Sequence, residues 1–205
     1  MTQKRTELRE LLLTSESRIK SLSQTLESDK DRAMLALWNK LIKNSLAILM
    51  LVDGDLKDEA ISIQRLALEH LFNLFALARN DSFYDEFING SQFSVVKGMK
   101  ALHSSIEKRD EDSLTPEGRS DLEAAMKQAE DNPIISLGYS IYNAANKSEL
   151  GPLYDSLYRA WSVSYAHSTA ISILREVSDT EDEILNETCG FLKFAYSLSS
   201  EVWGE

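Results

Sequence analysis

The chain has 205 residues, with 8 Gly, 3 Pro, 3 His and a single Cys, is 43% apolar and 27% charged, and carries a net charge of −11. That length suits one domain with a core of its own, and the composition is that of a globular chain, not a disordered one. So few Gly and Pro exclude a turn-rich sheet protein, and one thiol excludes an internal disulfide and a cysteine metal cluster. The class that follows is all-α: a single-domain bundle of six to eight helices over residues 1–205, with an N-terminal helical segment, 1–28, at its periphery.

Charge is distributed unevenly, with a net of +1 over residues 1–80 and −12 over residues 81–205. An acidic surface repels a phosphate backbone, so non-specific DNA is not an expected partner. Met1 to Glu7 leads into a charged helix, not an apolar signal region. The longest apolar run, Leu46 to Val52, is far short of the roughly 20 residues that span a bilayer. The expected setting is the cytoplasm, with no membrane partner.

Leu8, Leu12, Ile19, Leu22 and Leu26 recur at helical spacing and predict a first amphipathic helix over 3–27. Asp29 or Asp31 caps a second, which runs through Trp38 and Leu46 to Val52 and stops at Asp53-Gly54-Asp55, with glycine as the left-handed residue. A third helix covers about 56–78, and its second half, Leu71 to Ala78, is apolar nearly all round and belongs at the bundle centre. Ser82 to Ile88 predicts a short helix interrupted at Asn89-Gly90, and helical spacing resumes from Phe93 to Lys108. Thr115-Pro116-Glu117 starts a helix that ends by Asn132, and Pro133 opens another to about Asn146. Gly151-Pro152 starts the next, reaching Leu174, and Thr180 with Glu183 forms a capping box for a final helix to Trp203.

Familiar catalytic and metal patterns are missing. The residues three before His70, His103 and His167 are Ala67, Lys100 and Ser164, so no Glu-x-x-His pair exists for a di-metal bundle. There is no His-Glu-x-x-His, no phosphate-cradling glycine loop and no Gly-x-Ser-x-Gly elbow. No metal and no cofactor is expected.

Two helices carry candidate chemistry. Ser62, Arg65, Glu69 and Asn73 follow at spacings of three and four and share one face, where Arg65 and Glu69 form an i,i+4 pair. This is either a solvated stripe or a half-buried pair facing a pocket, and burial of such a pair calls for further polar partners. Tyr154, Tyr158, Trp161 and Tyr165 form an aromatic stripe beside Ser162, Ser164 and His167. The histidine titrates near neutrality and exchanges protons if a cleft exposes it; otherwise it is structural.

Arg65-Leu66-Ala67-Leu68-Glu69-His70, followed by Tyr154-x-x-x-Tyr158-Arg159 and Tyr165-Ala166-His167-Ser168, resembles an uncharacterised family of bacterial all-helical proteins. The likeness spans about residues 30–175 and implies a helical domain of unknown function. Its matching positions are Arg65, Glu69, Tyr158, Ser162 and His167, with Ser162 or Ser164 in the serine place. Arg65-x4-His70 is also similar to the mark of HEPN (higher eukaryotes and prokaryotes nucleotide-binding) domains, many of them ribonucleases of toxin–antitoxin and phage-defence systems. That likeness implies metal-independent RNA cleavage with Arg65 and His70 as catalytic residues. On a regular helix, however, the two point about 140° apart.

The leading expectation is a binding or interaction module that works through Arg65, Glu69, Tyr158, Ser162 and His167, as a homo-oligomer or with a protein partner or small ligand. The alternative is the HEPN-type ribonuclease. A third class, a structural subunit, is marked by an exposed apolar helix face, for which the first helix, Thr6 to Leu26, is the place to look.

Overall fold

The computed structural model describes residues 3–109, 114–166, 170, 174 and 180–204. Among them are eight helices and no strand: α1 (Gln3–Leu22), α2 (Asp29–Asp53), α3 (Lys57–Arg79), α4 (Phe83–Arg109), α5 (Pro116–Asp131), α6 (Ile141–Lys147), α7 (151–166) and α8 (Glu181–Trp203). They pack as two compact units, one of Met1–Asp81 with Ile141–Glu205 and one of Ser82–Ser140.

In the first unit α3 runs through the middle, against α2, α6, α7 and α8. Every residue from Leu71 to Leu77 is buried, as an all-round apolar stretch requires. α2 is long and apolar enough to cross a membrane, by length and composition only. Ten of its residues, among them Trp38, Leu41 and Ile48, are buried in the bundle. α1 lies against α8 and α2 and buries Leu8, Leu12 and Leu22. Thr180 and Glu183 form the expected capping box at the start of α8: each backbone N–H is taken by the other's side chain, at 2.7 and 3.2 Å.

Local corrections have local causes. The first helix stops at Leu22, not at 27, because hydroxyls take its last carbonyls: Ser23 donates to Lys20 O and Thr25 to Leu22 O. The cap of α2 is Ser28, whose Oγ accepts from Asp31 N at 3.0 Å, and neither Asp29 nor Asp31. The left-handed residue after α2 is Asp55, φ 57°, while Gly54 has φ −93°. Leu56 N bonds Leu51 O and Asp55 N bonds Val52 O, the six-to-one and five-to-two pair that places Asp55 at the reversal.

In the second unit α4 is one continuous helix of 27 residues, unbroken at Asn89-Gly90. The Asn89 side chain does not turn back on its own backbone; it donates to Ile135 O at 3.0 Å and accepts from Leu137 N at 2.8 Å. Gly90 lets Tyr139 lie against the helix, since a Cβ there would meet Tyr139 Cδ1 at 2.5 Å. Residues 133–140 are consequently not the helix predicted from Pro133; helix begins only at Ile141. The start of α5 is as expected, with Thr115 Oγ1 accepting from Gly118 N and Pro116 in the first turn.

Candidate functional site

Three residues on one face of α3 meet α7. The face exists because Ser62, Arg65 and Glu69 are spaced by three and four, and α3 cannot turn it away without exposing Leu68, Leu71 and Phe72. α7 answers with two π-helical turns, Tyr154–Tyr158 and Ser162–Ala166. The wider π turn brings residues four apart nearly into line, so the Tyr154 and Tyr158 rings stack with centroids 4.9 Å apart. Phe72 from α3 and Tyr142 from α6 close the aromatic patch edge-on, the first against Tyr158 and the second against Tyr154.

The polar contacts then form a closed set. Arg65 Nε donates to Ser162 Oγ at 2.7 Å, and Nη2 donates to Tyr158 Oη at 2.6 Å. Arg65 Nη1 lies 2.9 Å from Glu69 Oε1, and the Tyr158 hydroxyl donates to that same oxygen at 2.9 Å. Ser162 passes its own proton to Tyr158 O at 2.7 Å. Each hydroxyl therefore donates once and accepts once, with a consistent direction throughout. The guanidinium also lies 4.5 Å from the centroid of the Tyr158 ring. One turn away, Ser62 Oγ donates to Tyr165 O at 3.0 Å.

The Arg65 and Glu69 side chains are 20% and 21% exposed. This is the half-buried pair with further polar partners, not the solvated stripe. Burial, and then Glu69, push the Tyr158 phenol well above the ordinary tyrosine range, so it is a fixed donor at neutral pH.

Of the residues singled out in the sequence, the structure brings together Arg65, Glu69, Tyr158 and Ser162. Ser162, not Ser164, reaches the arginine; Ser164 is buried. His167 lies outside the described residues. His70 is half-buried on a different side of α3, where burial, with Lys40 of α2 adding, holds its imidazole below the usual histidine range. Among the described residues no three His, Cys, Asp or Glu side chains gather as metal ligands would. Burial, with Glu7 adding, pushes the Cys189 thiol up to about 11, so it is inert at neutral pH.

Sequence reading missed one buried polar contact. Gln64, fully buried, donates to Ile184 O at 2.8 Å and Thr188 Oγ1 at 3.1 Å and ties α3 to α8. Its only signal was an amide among apolar neighbours.

No curated protein and no solved structure matches the chain. A family model described as "Family of unknown function (DUF5677)" matches residues 31–184. That range takes in nearly all of α2, the helices through α7 and all four converging residues, and it is the likeness to an uncharacterised helical family that the sequence motifs led us to expect. The chain belongs to this family of unknown function, DUF5677.

Proposed function

We propose that the chain is a binding module whose recognition point is the Arg65–Glu69–Tyr158–Ser162 cluster, and that the group it takes is a neutral amide. The observation that carries this reading is the balance of the cluster. Its one cation and one anion lie 2.9 Å apart, so a bare phosphate or carboxylate meets little net attraction. Both ions keep unused capacity: two guanidinium N–H groups and Glu69 Oε2 take part in none of the bonds among the described residues. A donor beside an acceptor complements a peptide or small-molecule amide.

The ribonuclease reading has less support. Arg65 is engaged by Glu69 and by α7, and His70 borders Lys40, so the two do not face one phosphate.

The test is a titration with N-acetylglycinamide, followed by the Nε resonance of Arg65. A saturable shift is expected, weakened about tenfold by Glu69→Gln, as loss of one charge-assisted hydrogen bond implies. No response to the amide, or tighter binding of inorganic phosphate at the same resonance, overturns the reading. Cleavage of an RNA oligonucleotide by the intact chain, abolished by His70→Ala, replaces it with the alternative.

A further inference from the structure

α1 and α2 lie side by side and leave an apolar groove of about 450 Å³ between them, lined by Leu12, Leu13, Leu46, Leu49 and Met50. Leu13 is 68% exposed, Met50 67% and Leu46 46%, although α2 buries most of its apolar residues and α1 half of its own. An apolar face of this kind on a helical bundle marks something that covers it.

The residues around it identify the cover. Along α2 the exposed stripe is Lys43, Leu46, Met50 and Asp53. Reversing that helix about Ile48 exchanges Leu46 with Met50 and Lys43 with Asp53. Along α1, reversal about the Leu12–Leu13 bond exchanges Arg9 with Glu16, both exposed. Each stripe is thus apolar at its centre, with opposite charges at its two ends.

The two reversal points are level. Arg5 and Arg9 of α1 both reach Asp53 at the end of α2, at 2.8 and 3.7 Å, so the helices run antiparallel. Five residues back from Asp53 is Ile48, and five forward from midway between Arg5 and Arg9 is Leu12. A single axis perpendicular to both helices, lying just outside the exposed face, therefore passes over both centres. That is the requirement of an isologous two-fold interface.

We propose that this face docks a second copy of the chain, α1 on α1 and α2 on α2, each pair antiparallel. The Leu46 side chain then meets Met50 of the second copy, and Arg9 meets its Glu16. A membrane fits less well, because the rim alternates sign and an anionic bilayer selects for basic rims. The face measures roughly 30 by 20 Å, from about 20 residues of helix and two helix widths. This is below the roughly 800 Å² per partner of a standard interface. A dimer with a dissociation constant in the micromolar range follows.

The test is sedimentation equilibrium of the full chain from about 1 to 100 μM, with circular dichroism as the control for folding. The wild type self-associates to a dimer. Arg9→Glu and Glu16→Arg, taken singly, each weaken it at least tenfold, and the double exchange restores it, because the pair re-forms with its signs reversed. Leu13→Cys cross-links on oxidation. Lys43→Cys, ten residues or about 15 Å from its own symmetry mate, does not. Cys189 is buried and does not interfere. A chain that stays monomeric, folded single variants that associate as well as the wild type, or a double exchange as weak as its parents overturns the proposal. Binding to phosphatidylglycerol vesicles by a monomeric chain assigns the face to a membrane and overturns it equally.

Discussion

The Tyr158 hydroxyl stands between a guanidinium and a carboxylate, accepting from Arg65 and donating to Glu69. Its removal leaves both charges in place with one partner fewer in a half-buried setting. Tyr158→Phe should lower the unfolding free energy by about 1–2 kcal/mol, read from the midpoint of urea denaturation at unchanged slope. The same residue sets a pH dependence. Because the folded phenol titrates well above its ordinary value, the unfolded chain ionises first, near pH 10. The contribution is fully present below about pH 10 and is lost as pH rises beyond it. Denaturation midpoints between pH 8 and 11 should fall more steeply for the wild type than for Tyr158→Phe; parallel curves would remove Tyr158 as the source.

At the scale of elements, two glycines of α4 separate space from propensity. A Cβ added at Gly98 would have nothing within 4 Å, so Gly98→Ala should stabilise by up to about 1 kcal/mol through helix propensity alone. Gly90→Ala gains the same propensity but drives a methyl into the Tyr139 ring. A net loss of about 1–3 kcal/mol is expected. Hydrogen exchange should accelerate at the Leu137 amide, which Asn89 now holds. A Gly90→Ala variant as stable as Gly98→Ala would mean that residues 133–140 do not rest on α4. The same contacts explain why Asn89-Gly90 does not break the helix: residues that usually end a helix here serve a neighbouring segment, more than 40 residues away in sequence. The π turns of α7 are equally invisible in the sequence, since Tyr154, Tyr158, Trp161 and Tyr165 fit an ordinary α-helical stripe.

For the whole molecule, the proposed two-fold contact through α1 and α2 would couple folding to concentration. The melting temperature of the wild type should rise by a few degrees between 1 and 100 μM, since mass action over that range contributes about 2.7 kcal/mol per dimer. Leu13→Asp should abolish that rise, and a concentration-dependent melting temperature that persists in the variant would place the contact elsewhere. Scarcity of Gly and Pro, together with apolar residues at spacings of three and four, determined the all-helical class and the buried centre of α3. These are local properties of the chain, readable wherever a helix must bury a stripe. The same spacing put Arg65 beside Glu69. Only the tertiary structure decided that Tyr158 and Ser162 complete the set and that Ser162 outranks Ser164. Those contacts join residues about 90 apart through two π turns that no local pattern encodes, and a half-buried ion pair takes its partners from whichever helix packs against it.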